Sequence, residues 1–214
     1  MIRFKTAFID VDSTLCGIEG IDWLASQRSE SFRQQVAELT ERAMDGETSL
    51  ESVYAKRLAL VAPTRAEVAA LAREYSRTVS AGALATLKKL KDAGVDVHLI
   101  SGGLLPAIRE MANELGFEPS QVHAVDITFT DDGAYSSFDA SSPLTTQSGK
   151  RVLIDSLSFE RPAVIVGDGM TDAEARPAVD AFIAYTGHIR RDAAVSRADH
   201  VVTSFAELQP YFDR

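Results

Sequence analysis

The sequence predicts an α/β fold, in which a doubly wound, Rossmann-like parallel sheet core carries an inserted helical cap after strand 1. Short apolar runs rich in β-branched residues alternate with helix-period segments, and this alternation is typical of a parallel sheet. The interval 18–78 contains helix-period segments but no convincing strand. The chain has 214 residues, 45% hydrophobic and 25% charged, which is enough for a full core and a small inserted unit.

The five predicted strands are short and are bounded by Gly, Asp or Ser. They are FKTAFID (4–10), VDVHLIS (95–101), PAVIVGDG (162–169), DAFIAYT (180–186) and DHVVTSF (199–205). Two amphipathic helices end at Gly94 and Gly116, where glycine permits the left-handed conformation of a helix cap. Residues 122–138 differ, because two β-rich runs flank the turn sequence DDG and predict a small antiparallel excursion.

Four helical stretches follow the first strand. They are EGIDWLASQ (19–27), SFRQQVAELTERAMDG (31–46), SLESVYAKRLALV (49–61) and TRAEVAALAREYSRTV (64–79). The last begins with Thr64 and Glu67 at capping-box spacing. We therefore expect a catalytic core formed by residues 1–16 and 79–214, and a cap formed by residues 17–78 over the carboxyl ends of the strands. Open α/β sheets bind their ligands at that edge.

Charge and cysteine content exclude several classes of function. The formal net charge of −9 and the pI near 4.9 argue against a nucleic-acid partner. The single cysteine, Cys16, allows no intramolecular disulfide and has no His nearby in sequence to make it a nucleophile. The first residues reach an aspartate too early for a signal peptide, and no apolar run is as long as a membrane span. We expect a cytoplasmic protein that does not bind a membrane.

Four aspartates are predicted to meet at one edge of the sheet. Asp10 and Asp12 in FIDVDSTL are two residues apart, so in a strand they would face the same side. Asp168 and Asp172 in VGDGMTD lie at the end of another strand and the start of the next helix. Each aspartate alone could be a helix N-cap. Together they require a cation, and oxygen ligands without a Cys or His pattern favour Mg²⁺.

Two further motifs could bind an anion. In LISGGL, Ser101 and Gly102 end a strand, and the missing Cβ atoms let backbone N–H groups approach a phosphate. A plain turn is the alternative. Lys150 follows a glycine at the start of a predicted helix, where its ammonium could meet a phosphate or neutralise the aspartates. Taken alone, Lys150 is better explained as a solvated lysine.

The motifs DVDST, SGG, a lone Lys150 and GDGMTD, in this order and spacing, resemble the four motifs of the haloacid dehalogenase superfamily. Over nearly its whole length the chain is similar to the phosphoserine phosphatase branch. The resemblance implies that Asp10 is the nucleophile, forming an aspartyl-phosphate, and that Asp12 is the general acid and base. It also implies metal ligands and phosphate-binding groups. The metal ligands would be Asp10, the main-chain carbonyl of Asp12, and Asp168, with Asp172 supporting them; the phosphate-binding groups would be Ser101, Gly102 and Lys150.

The resemblance places substrate recognition in the cap. Glu19 would bind the ammonium group of an amino acid, although it could be a surface or helix-start carboxylate. Arg57 interrupts an apolar stripe formed with Leu50, Val53 and Val61, so its guanidinium needs an anionic partner. That partner could be the substrate carboxylate or a cap carboxylate in a fixed ion pair. Met44 and Leu50 would be apolar walls or core residues, and Thr171 would contact the substrate.

The activity implied by the resemblance is Mg²⁺-dependent hydrolysis of O-phospho-L-serine in serine biosynthesis, by a monomer or a homodimer. A second interpretation keeps the mechanism but changes the substrate to phosphothreonine or another small phosphomonoester, or transfers the phosphoryl group to homoserine. A third is a non-catalytic binding protein, because a fold alone does not establish activity. Val125 and Leu104 depart from the residues common in the family; neither change touches the reacting atoms, but both could alter the fit of the ligand.

Overall fold

The computed structural model describes the backbone of residues 3–44 and 50–212, and the side chains of these ranges except at positions 37, 40–44, 50 and 51. In this part of the chain, six parallel strands form one sheet in the order β3-β2-β1-β6-β7-β8, and β4 pairs with β5 in an antiparallel hairpin. The strands are β1 Thr6–Ile9, β2 Asp96–Leu104, β3 Val122–Val125, β4 Ile127–Phe129, β5 Tyr135–Phe138, β6 Ala163–Gly167, β7 Ala181–Tyr185 and β8 His200–Val202. The predicted fold class is confirmed.

Helices cover the sheet and fill the interval between β1 and β2. They are α1 Gly20–Ser26, α2 Glu30–Met44, α3 Leu50–Val61, α4 Arg65–Arg77, α5 Ala83–Asp92, α6 Leu105–Glu114, α7 Gly149–Ser156, α8 Met170–Glu174 and α9 Asp192–Val195. Every residue of β1, β6 and β7 is buried, as expected for parallel strands covered on both faces. No helix within the described ranges is both long and apolar enough to span a membrane.

The direction of strand order reverses between β1 and β6, which are neighbours at the centre of the sheet. Ile9 lies opposite Leu99 of β2 and Val166 of β6. The chain segments that follow these three strands therefore leave the sheet at the same edge. A crevice at such a reversal is the usual ligand site of an open α/β sheet.

All five predicted strands are present, but the prediction for residues 122–138 was wrong in part. The DDG turn does join an antiparallel hairpin, β4 and β5. The first β-rich run, however, divides into two strands: its second part forms β4, and its first part, Val122–Val125, adds to the edge of the main sheet, parallel to β2. Val122 and Val125 are both buried, and burial against the sheet and α6 decides the pairing. Local sequence does not encode that burial.

The segment that contains helices α1 to α4 begins and ends at neighbouring points of the structure. Gly17 N donates to Thr78 O at 2.9 Å, and Ser80 N donates to Leu15 O at 2.8 Å. The predicted capping box is confirmed: Glu67 N donates to Thr64 Oγ1 at 3.2 Å, and Thr64 N donates to Glu67 Oε2 at 2.7 Å. The division into a core and a cap, with boundaries at residues 16 and 79, stays a prediction.

Two histidines and an aspartate form a hydrogen-bonded row on β2 and β3. His98 Nε2 donates to Asp96 Oδ2 at 2.9 Å, because the carboxylate oxygen can only accept, and His98 Nδ1 is hydrogen-bonded to His123 Nε2 at 3.1 Å. His98 also stacks on Phe8, with ring centroids 5.2 Å apart. Burial, and then the neighbouring His98, lower the pKa of His123 to about 4. The folded protein therefore keeps His123 neutral.

We predict that His123 lowers the stability of the folded protein in mild acid. Between pH 6.5 and about 4 the unfolded chain takes up a proton at His123 that the folded chain does not bind, so the free energy of unfolding falls as pH falls. His123→Gln removes this contribution, at most about 1.4 kcal/mol per pH unit and less for a partly exposed ring. Urea unfolding at a series of pH values measures it. Parallel pH profiles for the two proteins would contradict the prediction.

Candidate active site

A cavity lies at the carboxyl edge of the sheet, over the reversal between β1 and β6. Its walls come from the loops after β1, β2 and β6, from α1 and α3, and from the segments 144–150 and around 191. Most of the predicted site residues line it: Asp10, Asp12, Glu19, Arg57, Ser101, Gly102, Lys150, Asp168 and Thr171. Asp172 is fully buried beneath them. The fold thus brings together residues that are more than 150 positions apart.

Lys150 is a buried cation between two buried carboxylates. Its Nζ lies 2.7 Å from Asp10 Oδ1 and 2.6 Å from Asp172 Oδ1. Burial opposes the charged ammonium, but the carboxylates of Asp10 and Asp172 outweigh it and hold the pKa of Lys150 above its ordinary value. Burial raises the pKa of Asp10, and Lys150 opposes that rise. The alternative that Lys150 is a solvated lysine is therefore wrong.

The sequence predicts that Asp10 and Asp12 face the same side of a strand. This prediction is wrong, because both residues lie beyond the end of β1. Strand β1 ends at Ile9, and residues 11–15 form a wide, irregular turn in which Leu15 N donates to Asp10 O and Cys16 N donates to Val11 O. Within this turn Ser13 adopts a left-handed conformation with φ of 52°. Such a conformation costs a non-glycine residue about 1 kcal/mol. The Ser13 hydroxyl donates to Glu19 Oε1 at 2.7 Å and helps to hold the turn. The turn gives the two aspartates separate partners.

Asp12 accepts three hydrogen bonds. Gly20 N and the Tyr75 hydroxyl donate to Oδ1 at 2.6 and 2.7 Å, and the Ser101 hydroxyl donates to Oδ2 at 2.9 Å. Asp10, by contrast, uses Oδ1 both for Lys150 and for Val11 N, which donates at 2.9 Å. The sequence therefore predicts correctly that both carboxylates lie at the site. Most of the groups that stabilise their negative charge come from residues that are distant in the sequence.

Three of the predicted metal ligands form a buried acidic group. Oxygen atoms of Asp10, Asp168 and Asp172 all lie within 4.8 Å of one another. Asp168 accepts a hydrogen bond from Thr14 Oγ1 at 3.2 Å, while its Oδ2 contacts Arg191 without forming a hydrogen bond. An oxygen-only donor set with a buried carboxylate oxygen that lacks a hydrogen bond fits a hard divalent cation. The side chain of Asp12 lies outside this group.

Asp172 is held on both sides. Its Oδ2 accepts from Gly169 N at 3.0 Å, opposite the contact with Lys150. A Cβ atom at Gly167 would lie 2.1 Å from Asp172 Cγ, so only glycine leaves room for this side chain at the end of β6. Within VGDGMTD, Gly167 is therefore required by packing, and Asp172 forms the ion pair with Lys150.

The SGG motif lies at the end of β2, against Asp12. Gly103 N donates to Ser101 Oγ at 2.8 Å, which leaves the hydroxyl proton for Asp12. A Cβ atom at Gly103 would lie 2.8 Å from Asp12 Oδ2. The carbonyl of Gly102 accepts from the Tyr54 hydroxyl of α3 at 2.9 Å. The motif is therefore a close approach of backbone to the site and also a contact point for the helical segment.

The two predicted recognition residues already have partners. Arg57 is nearly buried, and one of its terminal nitrogens lies 2.7 Å from Asp22 Oδ1, while its Nε has no hydrogen-bond partner among the described residues. The alternative interpretation, an ion pair with a carboxylate of the helical segment, is therefore correct. The Nε–H group of Arg57 is still available to donate a hydrogen bond. Glu19 is half-buried beside Arg191, at 3.2 Å. Burial, and then Asp12, raise the pKa of Glu19.

The remaining predicted positions divide into three groups. Thr171 lines the cavity at the start of α8. The side chains of Met44 and Leu50 lie outside the described part of the structure, so their roles as apolar walls stay predictions. Leu104 and Val125 are fully buried in the core and are absent from the cavity wall, which argues against the expectation that they alter the fit of the ligand.

Sequence reasoning did not identify several residues that contact the predicted site residues, among them Asp22, Tyr54, Tyr75 and Arg191. Arg191 belongs to the short basic run IRR, which was a detectable signal. The two tyrosines had none, because each is one aromatic residue within a helix and belongs to no local motif. Their hydroxyl partners lie at least 48 positions away in sequence.

Comparisons with known proteins agree with this geometry. The model of the haloacid dehalogenase-like hydrolases matches residues 4–180. A phosphoserine phosphatase of Bos taurus is 34% identical over 203 residues, which cover 93% of this chain and 89% of the relative. A phosphoserine phosphohydrolase-like protein of Francisella tularensis superposes with a TM-score of 0.85 at 24% identity, covering 98% of this chain and all of that one. A phospho-aspartyl intermediate analogue of phosphoserine phosphatase superposes with a TM-score of 0.80 at 24% identity, covering 99% and 100%.

We predict that Lys150→Met destabilises the protein far more than the loss of an exposed lysine. The substitution leaves two carboxylates buried without their cation, which lowers the free energy of unfolding by about 3 kcal/mol or more. The matched control is Lys88→Met, which removes an exposed ion pair with Asp92 and should change stability little. Urea unfolding in EDTA measures both. Equal losses would mean that Lys150 does not neutralise the site.

Proposed function

The chain belongs to the haloacid dehalogenase-like hydrolase family, and from this premise we propose that it hydrolyses O-phospho-L-serine to L-serine and phosphate. The observation that carries the proposal is the pair of carboxylates after β1. Asp10 is buried beside the ammonium of Lys150, and Asp12 stands two residues on with different partners. A protein that only bound a phosphorylated ligand would need neither a nucleophile nor an acid.

In the first step, a carboxylate oxygen of Asp10 attacks phosphorus, and the bond from phosphorus to the serine oxygen breaks. Both described contacts of Asp10 use Oδ1, so we assign the attack to Oδ2. Asp12 gives its proton to the leaving serine oxygen, since an alkoxide is a poor leaving group. The products of this step are L-serine and an aspartyl-phosphate on Asp10.

In the second step, Asp12 takes a proton from water, and the water oxygen attacks the phosphorus of the aspartyl-phosphate. The bond from phosphorus to Asp10 breaks, which releases phosphate and restores both carboxyl groups. Ser101, the backbone of Gly102 and Lys150 hold the phosphoryl oxygens in both steps. Phosphoryl transfer depends mainly on such positioning and on charge neutralisation.

Asp10 and Asp168, with Asp172 behind them and the main-chain carbonyl of Asp12 alongside, would hold Mg²⁺. When bound, the ion neutralises negative charge on the phosphoryl group and orients it for attack. The oxygen-only donors and the buried carboxylates support this choice of metal. Lys150 and Arg191 bring positive charge to the same cluster from the protein itself.

The helical segment would select the substrate. Residues 17–78 are proposed as a cap on the core formed by residues 1–16 and 79–214. Glu19 would bind the substrate ammonium and Arg57 its carboxylate, because both line the cavity with the phosphate-binding groups. Thr171 and Met44 would complete the wall. The names of the relatives support this substrate class, and a cytoplasmic location and the oligomeric state stay predictions.

Phosphate release by the purified protein tests the function. We expect turnover of phosphoserine that requires Mg²⁺, is abolished by EDTA, and exceeds turnover of phosphothreonine and other small phosphomonoesters in kcat/KM. Asp10→Asn should lower kcat by at least about a thousandfold, because the amide is not a nucleophile. Metal-dependent turnover with another preferred substrate would keep the mechanism and replace the substrate. Full activity of the Asn variant would remove Asp10 from its role.

A matched pair of substrates tests Arg57. O-phosphoethanolamine lacks only the carboxylate of phosphoserine, so Arg57→Ala should lower kcat/KM for phosphoserine roughly 10- to 100-fold and for phosphoethanolamine much less. Asp22→Asn is the control, because it breaks the ion pair and keeps the guanidinium. If Asp22→Asn and Arg57→Ala lose activity equally on both substrates, Arg57 acts through the ion pair and not on the carboxylate.

A further inference from the structure

We propose that Tyr75, a residue of α4, is a positioning residue for the general acid and base: its hydroxyl fixes Oδ1 of Asp12 and so leaves Oδ2 as the oxygen that transfers the proton. This inference rests on the proposed function and goes beyond it. Tyr75 does not line the cavity and therefore does not touch the substrate. It would act only through Asp12.

The contact is short and completely enclosed. The Tyr75 hydroxyl donates to Asp12 Oδ1 at 2.7 Å, and the side chain of Tyr75 has no exposure to solvent. A phenol hydroxyl carries its proton at neutral pH and is therefore a donor to the carboxylate. Water cannot replace it without opening the core.

Gly20 adds a second donor and makes room for the first. Its N–H donates to the same oxygen, Asp12 Oδ1, at 2.6 Å. A Cβ atom at position 20 would lie 2.1 Å from the Tyr75 hydroxyl oxygen and 3.3 Å from Asp12 Oδ1. Only glycine allows α1, α4 and the loop after β1 to meet at this point. Oδ1 is thus held by two donors from the helical segment.

Asp12 Oδ2 differs from Oδ1 because its hydrogen-bond donor, the hydroxyl of Ser101, can turn away from it. The Ser101 hydroxyl carries one proton, which it gives to Asp12 Oδ2 at 2.9 Å. To donate to a phosphoryl oxygen, as the proposed function requires, Ser101 must turn that proton away from Asp12. Oδ2 then has no donor among the described contacts and faces the group that Ser101 has bound. Oδ1 stays fixed by Tyr75 and Gly20.

Both proton transfers therefore use one oxygen. Oδ2 gives its proton to the serine oxygen as the bond from that oxygen to phosphorus breaks, and Oδ2 later takes a proton from the attacking water. The carboxyl group does not need to rotate between the two steps. Without the Tyr75 hydroxyl, Asp12 loses one of the two donors that prevent rotation.

The test compares leaving groups in Tyr75→Phe, which keeps the ring and removes the hydroxyl. In rapid-quench single turnovers, serine release from phosphoserine should be roughly 10- to 100-fold slower than in the unmodified protein. The burst of p-nitrophenol from p-nitrophenyl phosphate should stay within about twofold, because that leaving group needs no proton. A merely structural role would slow both. Tyr185→Phe, which alters another buried tyrosine, is the control and should leave both rates unchanged.

Equal slowing on both substrates, or an unchanged serine release in an active protein, would overturn the inference while the phosphatase assignment stands. If the unmodified protein prefers another alkyl phosphomonoester, that substrate replaces phosphoserine. Crystal structures of the unmodified protein and Tyr75→Phe give a readout that needs no turnover: an unmoved Asp12 carboxylate would also overturn it.

Discussion

The rest of the site depends on the two ion pairs that the ammonium group of Lys150 forms. Two buried carboxylates, Asp10 and Asp172, lie within 2.7 Å of it, and neither could remain charged in the core without a cation. Bringing the three groups together requires β1, α7 and α8 to converge at one edge of the sheet. The parallel order of β1 and β6 provides that convergence, because both strands end at the same edge.

Even with Lys150, the acidic group keeps an excess of negative charge. Asp168 adds a third buried carboxylate, and the guanidinium of Arg191 contacts it while also lying 3.2 Å from Glu19. Arg191 is partly exposed and Lys150 is not, so the two cations differ in how firmly the protein holds them. Lys150 lies among buried carboxylates, whereas Arg191 is the more exposed of the two cations that line the cavity. In the proposed function the same site accepts a further cation and an anion together.

The parts of the fold that could be predicted are those encoded by local pattern. Buried parallel strands appear as short apolar runs, and the ends of α5 and α6 are marked by Gly94 and Gly116, which adopt φ of 78° and 71°. The aspartates were recognisable because their spacing and motifs are local. The association of Val122–Val125 with the main sheet was not predictable, since the pairing of a short edge strand depends on what covers it. The ion pair of Arg57 with Asp22 likewise depends on how α1 and α3 pack.

The contacts of Asp10 and Asp12 show that the helical segment helps to shape the site. In the proposed mechanism the two carboxylates, two residues apart, perform opposite tasks, one as a nucleophile and one as an acid, and this requires different surroundings. Asp10 receives its partner, Lys150, from α7 beneath the sheet edge, whereas Asp12 receives Gly20 and Tyr75 from the helices inserted after β1. A displacement of α1 or α4 would therefore alter Asp12 and leave Asp10 in place. Because the helices are inserted directly after the aspartates, Gly20 contacts Asp12 from eight residues further along the chain, and Tyr75 contacts the same carboxylate from the last of the four inserted helices.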